Sequence, residues 1–288
     1  IEAVVGGFSY EQSKFNRATQ SLVQVGSSIK PFIYAAALEK GLTLSSVLQD
    51  SPISIQKPGQ KMWQPKNSPD RYDGPMRLRV GLGQSKNMIA IRAIQTAGID
   101  FTAEFLQRFG FKRDQYFASE ALALGAASFT PLEMARAYAV FDNGGFLIEP
   151  YIIEKIQDNT GKDLFIANPK IACIECNDIP VIYGETKDKI NGFTNIPLGE
   201  NALKPTDDST NGEELDQQPE TVPELPELQS NFTALKEDAI DLMAAAKNAS
   251  SKIEYAPRVI SGELAFLIRS ALNTAIYGEQ GLDWKGTS

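Results

Sequence analysis

The chain carries the stretch GSSIKPFIYAAALEKG at residues 26–41, in which a serine precedes a lysine by three positions at the head of a long apolar run. The run predicts a buried helix. Because positions i and i+3 share one face of a helix, the Lys30 amine is predicted to lie within reach of the Ser27 hydroxyl. A free serine is a poor nucleophile and needs a neighbouring base to take its proton. The spacing therefore indicates a nucleophilic serine with a lysine as its base.

The absence of one residue type narrows the chemistry. The chain contains no histidine, which excludes Ser-His and Cys-His catalysis and His-zinc sites. Lysine remains as the base for Ser27, provided that its surroundings lower its pKa toward neutrality. The helix N-terminus adds free N–H groups and partial positive charge near Ser27, where an oxyanion would form.

Ser-x-x-Lys is a weak pattern on its own. About one chance match is expected in a chain of this composition, and a second match, from Ser54 to Lys57, occurs in an alternating run that predicts an extended segment. Residues three apart on an extended segment point to opposite faces, so Ser54 should not meet Lys57. For Ser27, an N-cap serine followed by a solvated Lys30 is the alternative interpretation.

A second motif, SKN at residues 85–87, lies between two helix-like stretches at about 76–82 and 88–97, the latter stopped by Gly98. A serine hydroxyl and an asparagine amide both donate and accept hydrogen bonds. The pair suits a proton shuttle beside a serine nucleophile and a clamp on a substrate amide. Helix capping by Ser85 and Asn87 is the alternative. A second Ser-x-Asn, at 209–211, falls in a segment predicted to be disordered.

In this order, the two motifs resemble those of the serine acyltransferases called penicillin-binding proteins, whose signature set is Ser-x-x-Lys, Ser-x-Asn and Lys-Thr-Gly. Further blocks are similar to the class A, bifunctional members of the family. These blocks are VVGGFSY (4–10), SKFNRATQ (13–20), WQPKN (63–67), YDG (72–74), ALG (123–125), TPLEMA (130–135), AY (137–138), NGG (143–145) and APRVIS (256–261). The resemblance covers residues 1 to about 165 and resumes near residue 256.

The third family motif, Lys-Thr-Gly, does not occur in the chain, and the permuted KGT at 285–287 is no substitute for it. In the family this motif lies on an edge strand after the helix that residues 262–277 resemble. The run from Ile1 to Phe8 alternates like a strand cut from something longer. We therefore expect a fragment of a longer polypeptide, without a glycosyltransferase half upstream and the last sheet strands downstream.

The elements predict an α/β (α+β) fold of the penicillin-binding protein and serine β-lactamase type, with an antiparallel sheet packed by helices and an all-helical subdomain. We expect an initial strand, the Ser27 helix, an all-helical middle at about 75–143, a strand-like 146–157 and a late helix at 262–277. The resemblance implies a five-stranded sheet. The predicted domains are a transpeptidase core at 1–166, an insertion at 167–254 and a return to the core at 255–288.

The net charge of −8 originates in the predicted insertion. From residue 205 to 235 there are eight acidic residues, four prolines and no lysine or arginine, which predicts a solvated acidic linker. Its tail at 233–247 is predicted as a short helix, and docking of a partner protein is the alternative role. Cys173 and Cys176 cannot form a four-ligand zinc site by themselves. A local disulfide is the better interpretation in an oxidising periplasm.

Apolar residues make up 42% of the 288 residues, enough for a large core. No stretch approaches the ~18 apolar residues of a membrane span, and no signal peptide opens the chain. No basic stripe indicates a nucleic-acid partner, and no metal or organic cofactor is implied.

The resemblance implies a D,D-transpeptidase that crosslinks peptidoglycan stem peptides ending in D-Ala-D-Ala and is acylated by β-lactams. Ser27 would attack the carbonyl of the penultimate D-alanine while Lys30 takes the proton. Ser85 would relay a proton to the departing D-alanine near Lys86, and Asn87 would hold the substrate amide. The full-length protein would be anchored in the inner membrane, with this domain on the periplasmic side.

Three residues are predicted to bind substrate around this centre: Lys86, Trp63 and Tyr72. The two aromatic residues are candidates for the walls of the cleft, and packing against the core is their alternative role.

Other functions remain open from the sequence. A class A β-lactamase needs a glutamate in Glu-x-x-Leu-Asn, but the single Leu-Asn pair, at 272–273, is preceded at that position by Arg269. A D,D-carboxypeptidase would use the same site with water as the acceptor. A β-lactam sensor or wall-binding module would keep the serine without turnover.

Overall fold

The computed structural model describes residues 1–59, 61–173, 176, 180–182 and 254–277. This part of the chain divides into two compact units. The first contains Ile1–Lys155 and the described residues at 167–182 and 254–277, and the second is described at Ile156–Ile166.

The first unit is mainly helical. Its described helices are α1 (Arg17–Gln20), α2 (Lys30–Glu39), α3 (Leu78–Gly83), α4 (Asn87–Ala97), α5 (Ile99–Gln107), α6 (Pro131–Asp142) and α7 (Gly262–Tyr277). Short 3₁₀ helices cover Gly26–Ile29, Arg113–Gln115 and Glu120–Leu124.

The described strands are short and form two-stranded sheets. They are β1 (Val23–Gln24), β2 (Val47–Asp50), β3 (Gly74–Arg77), β4 (Ser128–Phe129), β5 (Lys155–Gln157) and β6 (Asp163–Ile166). Strand β1 pairs with β4, β2 with β3 and β5 with β6. In the antiparallel β2–β3 pair, Asp50 lies opposite Gly74, which brings the end of β2 beside the loop that precedes β3.

Helix α2 lies at the centre of the core, as a helix that is apolar on every side must. Its residues from Lys30 to Leu38 are all buried. Phe32 contacts the rings of four aromatic residues at centroid distances of 5.0–5.4 Å, namely Phe109, Phe111, Tyr138 and Phe141. The buried helix predicted from the sequence is confirmed. It provides a rigid support for the residues at its N-terminal end.

Several other predicted elements are confirmed. The late helix spans Gly262–Tyr277. Helix α4 ends at Ala97 because Gly98 follows it with a φ of +94°, a conformation that glycine adopts at little cost. The predicted all-helical middle is confirmed from α3 to α6, where the two-residue β4 is the one strand.

The predicted strand at the start of the chain is wrong. Residues from Ile1 to Phe8 have no strand conformation, and Val5 and Phe8 are 84% and 94% exposed. An alternating run becomes a strand only where a neighbouring backbone pairs with it. Within the described chain, no strand does so.

Two further boundaries differ from the predictions. The helix expected at 76–82 begins at Leu78, because Met76 and Arg77 belong to β3 and pair with Leu48 and Val47. The stretch 146–157 is a strand only at its end, in β5, although Phe146 forms an isolated bridge with Arg258. Of the five-stranded sheet that the resemblance implies, the described residues contain only two-stranded pairs.

Most of the predicted insertion lies outside the described residues, including the acidic segment at 205–235, the helix at 233–247 and the Ser-x-Asn at 209–211. The KGT at 285–287 also lies outside them. The predicted domain boundaries therefore stay predictions. Among the helices that the structure describes, none combines the length and apolar character needed to cross a membrane.

Candidate active site

Ser27 lies in the 3₁₀ turn Gly26–Ile29, which leads directly into α2. Its side chain is exposed, whereas Ile29 and Lys30 just after it are buried. Two contacts hold the turn: Val25 N donates to Ala127 O at 3.1 Å, and Tyr138 Oη donates to Ser28 O at 2.7 Å. The turn thus presents a serine hydroxyl to solvent at the N-terminal end of a buried helix.

Gly125 packs against the back of this turn, and a side chain there is expected to displace it. A Cβ atom at Gly125 would overlap the backbone of Gly26, and the residue has a φ of +83°. Overpacking and a left-handed non-glycine residue together cost about 2–5 kcal/mol. We expect Gly125→Ala to lower the free energy of unfolding by that amount, measured by denaturant titration.

Gly41, which follows α2, provides the matched control. Its φ is +96°, but a Cβ there would meet open space. Gly41→Ala should cost only the left-handed conformation, about 1–2 kcal/mol. An equal loss of unfolding free energy in the two variants would contradict the overlap of a Gly125 side chain with Gly26.

The buried Lys30 joins the two motifs. Its side chain is 1% exposed, and its Nζ donates to Ser85 O at 2.5 Å, to Ser85 Oγ at 3.0 Å and to Asn87 Oδ1 at 2.7 Å. The alternative of a solvated first-turn lysine is therefore wrong. Although Lys30 and Ser27 are both described, no hydrogen bond joins their side chains. All three hydrogens of the ammonium are used by the SKN motif.

The electrostatics of Lys30 suit a base. Burial lowers the pKa of Lys30 from 10.5 to about 8, because a low-dielectric surrounding disfavours the charged amine. At pH 7 roughly a tenth of the molecules would then carry a neutral Lys30. A neutral amine has two hydrogens, so losing the proton releases one of the three acceptors.

Ser85 occupies a strained corner between α3 and α4. It has a φ of +53°, in the left-handed region that non-glycine residues seldom adopt. The hydrogen bonds of Ser85 N to Leu82 O and of Lys86 N to Gly81 O, both 2.9 Å, close the end of α3 around it. The corner brings both the carbonyl oxygen and the hydroxyl of Ser85 onto Lys30. Strain of this kind costs about 1–3 kcal/mol and is concentrated at functional sites.

Asn87 begins α4 and connects Lys30 to the WQPKN block. Its Oδ1 accepts from Lys30, and its Nδ2 donates to Lys66 O at 2.7 Å. Asn67 Oδ1 accepts from Asn87 N at 2.9 Å and from Met88 N at 3.2 Å, so a residue from another segment caps this helix. The predicted clamp on a substrate amide stays a prediction.

A cluster of charges flanks the SKN corner. Lys86 Nζ lies 2.5 Å from Asp73 Oδ2 and 3.0 Å from Oδ2 of the buried Asp50. Burial favours the neutral form of Asp50, but hydrogen bonds from Asn67, the Asp73 backbone and Lys86 outweigh it and hold the pKa of Asp50 below its usual value. The pKa of Lys86 is raised: burial opposes this, and its bonds to Asp73 and Asp50 outweigh the burial.

Sequence reasoning did not identify Asp50, Asn67 or Asp73 as site residues. Asn67 and Asp73 lie in blocks that resemble the family, WQPKN and YDG. The sequence analysis recognised these blocks but assigned no role to the two residues. Asp50 lies at the end of an ordinary short strand, and nothing in its neighbourhood in the sequence indicates a site.

The predicted substrate-binding residues have other partners in the structure. Trp63 and Tyr72 are half-buried and pack against the core. Trp63 pairs its backbone with Ile55, and a hydrogen bond to Asp70 is the main cause that raises the pKa of Tyr72. Lys86 is held by two carboxylates. Their roles in substrate binding stay predictions.

Two other patterns are resolved by their contacts. In the second Ser-x-x-Lys match, Ser54 Oγ accepts from Gln64 Nε2 at 3.0 Å while Lys57 pairs with Glu120 at 2.8 Å, so these two residues do not meet. The structure joins Cys173 and Cys176 in a disulfide. In the described ranges no group of three or more acidic, cysteine or histidine side chains could hold a metal ion.

Comparison with known proteins identifies the family. The model of the penicillin binding protein transpeptidase domain matches residues 1–175. The chain therefore belongs to the penicillin-binding protein transpeptidase domain family, and its fold is that of the family.

Curated relatives agree with this. The chain is 99% identical over 288 residues to penicillin-binding protein 1A of Haemophilus influenzae, covering all of this chain and 34% of the relative. It is 51% identical over 288 residues to penicillin-binding protein 1A of Escherichia coli, covering all of this chain and 31% of that protein. A crystal structure of penicillin-binding protein 1A from Haemophilus influenzae superimposes with a TM-score of 0.73 and 80% identity, covering 98% of this chain and 34% of that one. The chain thus spans about a third of the length of these relatives.

Proposed function

We propose that this chain carries the acyl-transfer site of a serine D,D-transpeptidase, with Ser27 as the nucleophile and Lys30 as its base. The observation that carries the proposal is the Lys30 amine, which is buried and bound to both Ser85 and Asn87 at one turn from an exposed serine. The family supports the reaction class, and the site supports the assignment of roles.

The first step would be formation of an acyl-enzyme. Ser27 Oγ attacks the carbonyl of the penultimate D-alanine of a stem peptide, and its proton passes to the neutral Lys30 amine. The backbone N–H of Ser27, at the N-terminal end of α2, donates to the developing oxyanion. The proton on Lys30 then moves through the Ser85 hydroxyl, 3.0 Å away, to the nitrogen of the departing D-alanine. The peptide bond breaks as the ester to Ser27 forms.

The second step would reverse this route with a new partner. An amine from a neighbouring stem peptide attacks the ester carbonyl and passes its proton through the Ser85 hydroxyl to Lys30. The ester bond to Ser27 breaks, Ser27 Oγ takes the proton back from Lys30, and the new amide leaves as the crosslink. A β-lactam would acylate Ser27 in the same way because it resembles the D-Ala-D-Ala terminus. For the whole protein we propose a bifunctional glycosyltransferase and transpeptidase, anchored in the inner membrane with this site in the periplasm.

The products formed from a stem pentapeptide ending in D-Ala-D-Ala test this function. In the presence of an amine acceptor, mass spectrometry should detect released D-alanine and an acyl–amine product in an acceptor-dependent amount. Hydrolysed peptide with no amine product would indicate a carboxypeptidase. A penicillin adduct without peptide turnover would indicate a sensor, and rapid penicillin hydrolysis a β-lactamase.

A further inference from the structure

We propose that Asp50 is a positioning residue for acyl transfer, which holds the SKN corner on the Lys30 amine through Asn67 and Lys86. The inference rests on the function proposed for Ser27 and Lys30. The Asp50 carboxylate forms no hydrogen bond or ion pair with Ser27 or Lys30, although all three residues are described, so its influence on the site passes through other side chains.

The first connection runs through Asn67 to the start of α4. Asp50 Oδ1 accepts from Asn67 Nδ2 at 2.7 Å, and Asn67 Oδ1 accepts from the backbone N–H groups of Asn87 and Met88. Because a carboxylate only accepts, it selects the orientation in which the amide nitrogen faces Asp50 and the oxygen faces the helix. Helix α4 has no side-chain cap from its own N-cap residue, Lys86. Asp50 therefore fixes the cap that starts the helix at Asn87.

The second connection runs through Lys86, the middle residue of the motif. Its ammonium lies 3.0 Å from Asp50 Oδ2 and also contacts Asp73. The same Asp50 oxygen accepts from Asp73 N at 3.0 Å. One carboxylate thus holds the backbone N–H of Asn87 through Asn67 and the side chain of Lys86 directly. Ser85, with its left-handed φ, directly precedes these two anchored residues in the chain.

The burial of Asp50 makes these connections stiff. Its side chain is 0% exposed, and a buried charge is tolerated only where it is paired and hydrogen-bonded. Moving the corner would leave the carboxylate without its donors. The corner is therefore held where Ser85 Oγ and Asn87 Oδ1 meet the Lys30 amine, and a shift of about 1 Å at such a centre can cost 100-fold in rate.

The test is the rate of acylation of Asp50→Asn by a fluorescent penicillin in the full-length protein that carries this sequence. The substitution keeps the shape and an acceptor for Asn67 but removes the charge that binds Lys86. We expect the acylation rate constant at saturating penicillin to fall about 10- to 100-fold, while the fraction finally labelled and the half-saturating penicillin concentration stay near those of the unsubstituted protein. A purely structural role would instead reduce the labelled fraction and leave the rate constant of the remaining folded molecules unchanged, which would overturn the proposal.

Glu39→Gln is the matched control. It removes a carboxylate from another partly buried ion pair, with Arg108 at 2.6 Å, at the opposite end of α2. It should leave the rate constant of acylation unchanged. An equal slowing by Glu39→Gln would contradict a specific link from Asp50 to the corner.

Lys86→Met tests the link between Asp50 and Lys86 by itself. It also serves as the test variant if Asp50→Asn does not fold. It should slow acylation as well, and the double variant should be no slower than the slower single one, because the two residues act as a unit. Additive effects, or a full acylation rate in Lys86→Met, would overturn the link. Unsubstituted protein that forms no adduct on Ser27 would refute the proposed function itself, whereas a normal adduct with a full rate in Asp50→Asn would refute only this inference.

Discussion

Ser27→Ala is expected to abolish covalent labelling of the full-length protein by a fluorescent penicillin. The hydroxyl is the atom that would form the ester, and loss of a nucleophile typically costs a factor on the order of 10⁴ or more. Among the residues that the structure describes, the exposed Ser27 side chain makes no hydrogen bond, so the variant should keep its thermal midpoint. The measurement is in-gel fluorescence over time, with thermal unfolding recorded in parallel.

Ser28→Ala is the control for that experiment. Ser28 is the next residue in the same 3₁₀ turn, is also exposed, and its hydroxyl donates to Val25 O at 2.5 Å. It should label at close to the full rate. Labelling of Ser27→Ala at an undiminished rate would exclude Ser27 as the nucleophile.

Lys30→Met is expected to slow acylation by about 10²- to 10⁴-fold, the usual contribution of a general base. Methionine fills a similar volume without the amine, and it leaves Ser85 Oγ and Asn87 Oδ1 without their donor. Stopped-flow acylation measures the effect, and circular dichroism checks that the variant is folded. A rate within a factor of a few of the unsubstituted protein would show that Lys30 is not the base.

The pH dependence of the same rate tests how Lys30 acts. Since the amine must be neutral to accept a proton and burial lowers its pKa to about 8, the acylation rate should rise with pH and reach half its maximum near pH 8. Below that pH the protonated fraction of Lys30 grows and the rate falls tenfold per pH unit. In Lys30→Met this limb should disappear. An unchanged limb in the variant would assign the titration to another group.

Local patterns were sufficient to predict the buried helix that follows Ser27. The run after Lys30 is apolar on every side, and a helix of that composition can only be buried. The sequence also placed Ser85 and Asn87 in one site with Ser27, but it did not predict their hydrogen bonds to Lys30, which join residues more than 50 positions apart. The helix stop at Gly98 followed from the conformational freedom of glycine.

The residues that surround the SKN corner, Asp50, Asn67 and Asp73, could not be predicted in the same way. Asp50 reaches the corner because β2 pairs with β3, which places Asp50 opposite Gly74. That register depends on the tertiary fold, and no local pattern around Asp50 indicates it. The wrong prediction of a strand at the start of the chain also reflects dependence on the tertiary fold. An alternating run carries no information about whether a partner strand lies beside it. The i,i+3 spacing predicted a direct contact between Ser27 and Lys30. In the structure the Lys30 amine instead donates to three acceptors of Ser85 and Asn87, which a local spacing rule does not include.

Intact mass spectrometry of the full-length protein after incubation with penicillin, followed by peptide mapping, tests the central claim most directly. We expect a single long-lived adduct equal to the mass of the intact drug, located on Ser27 in the peptide that contains residues 26–29. An adduct on another residue, or a folded protein that forms none, would contradict the assignment of Ser27 as the nucleophile.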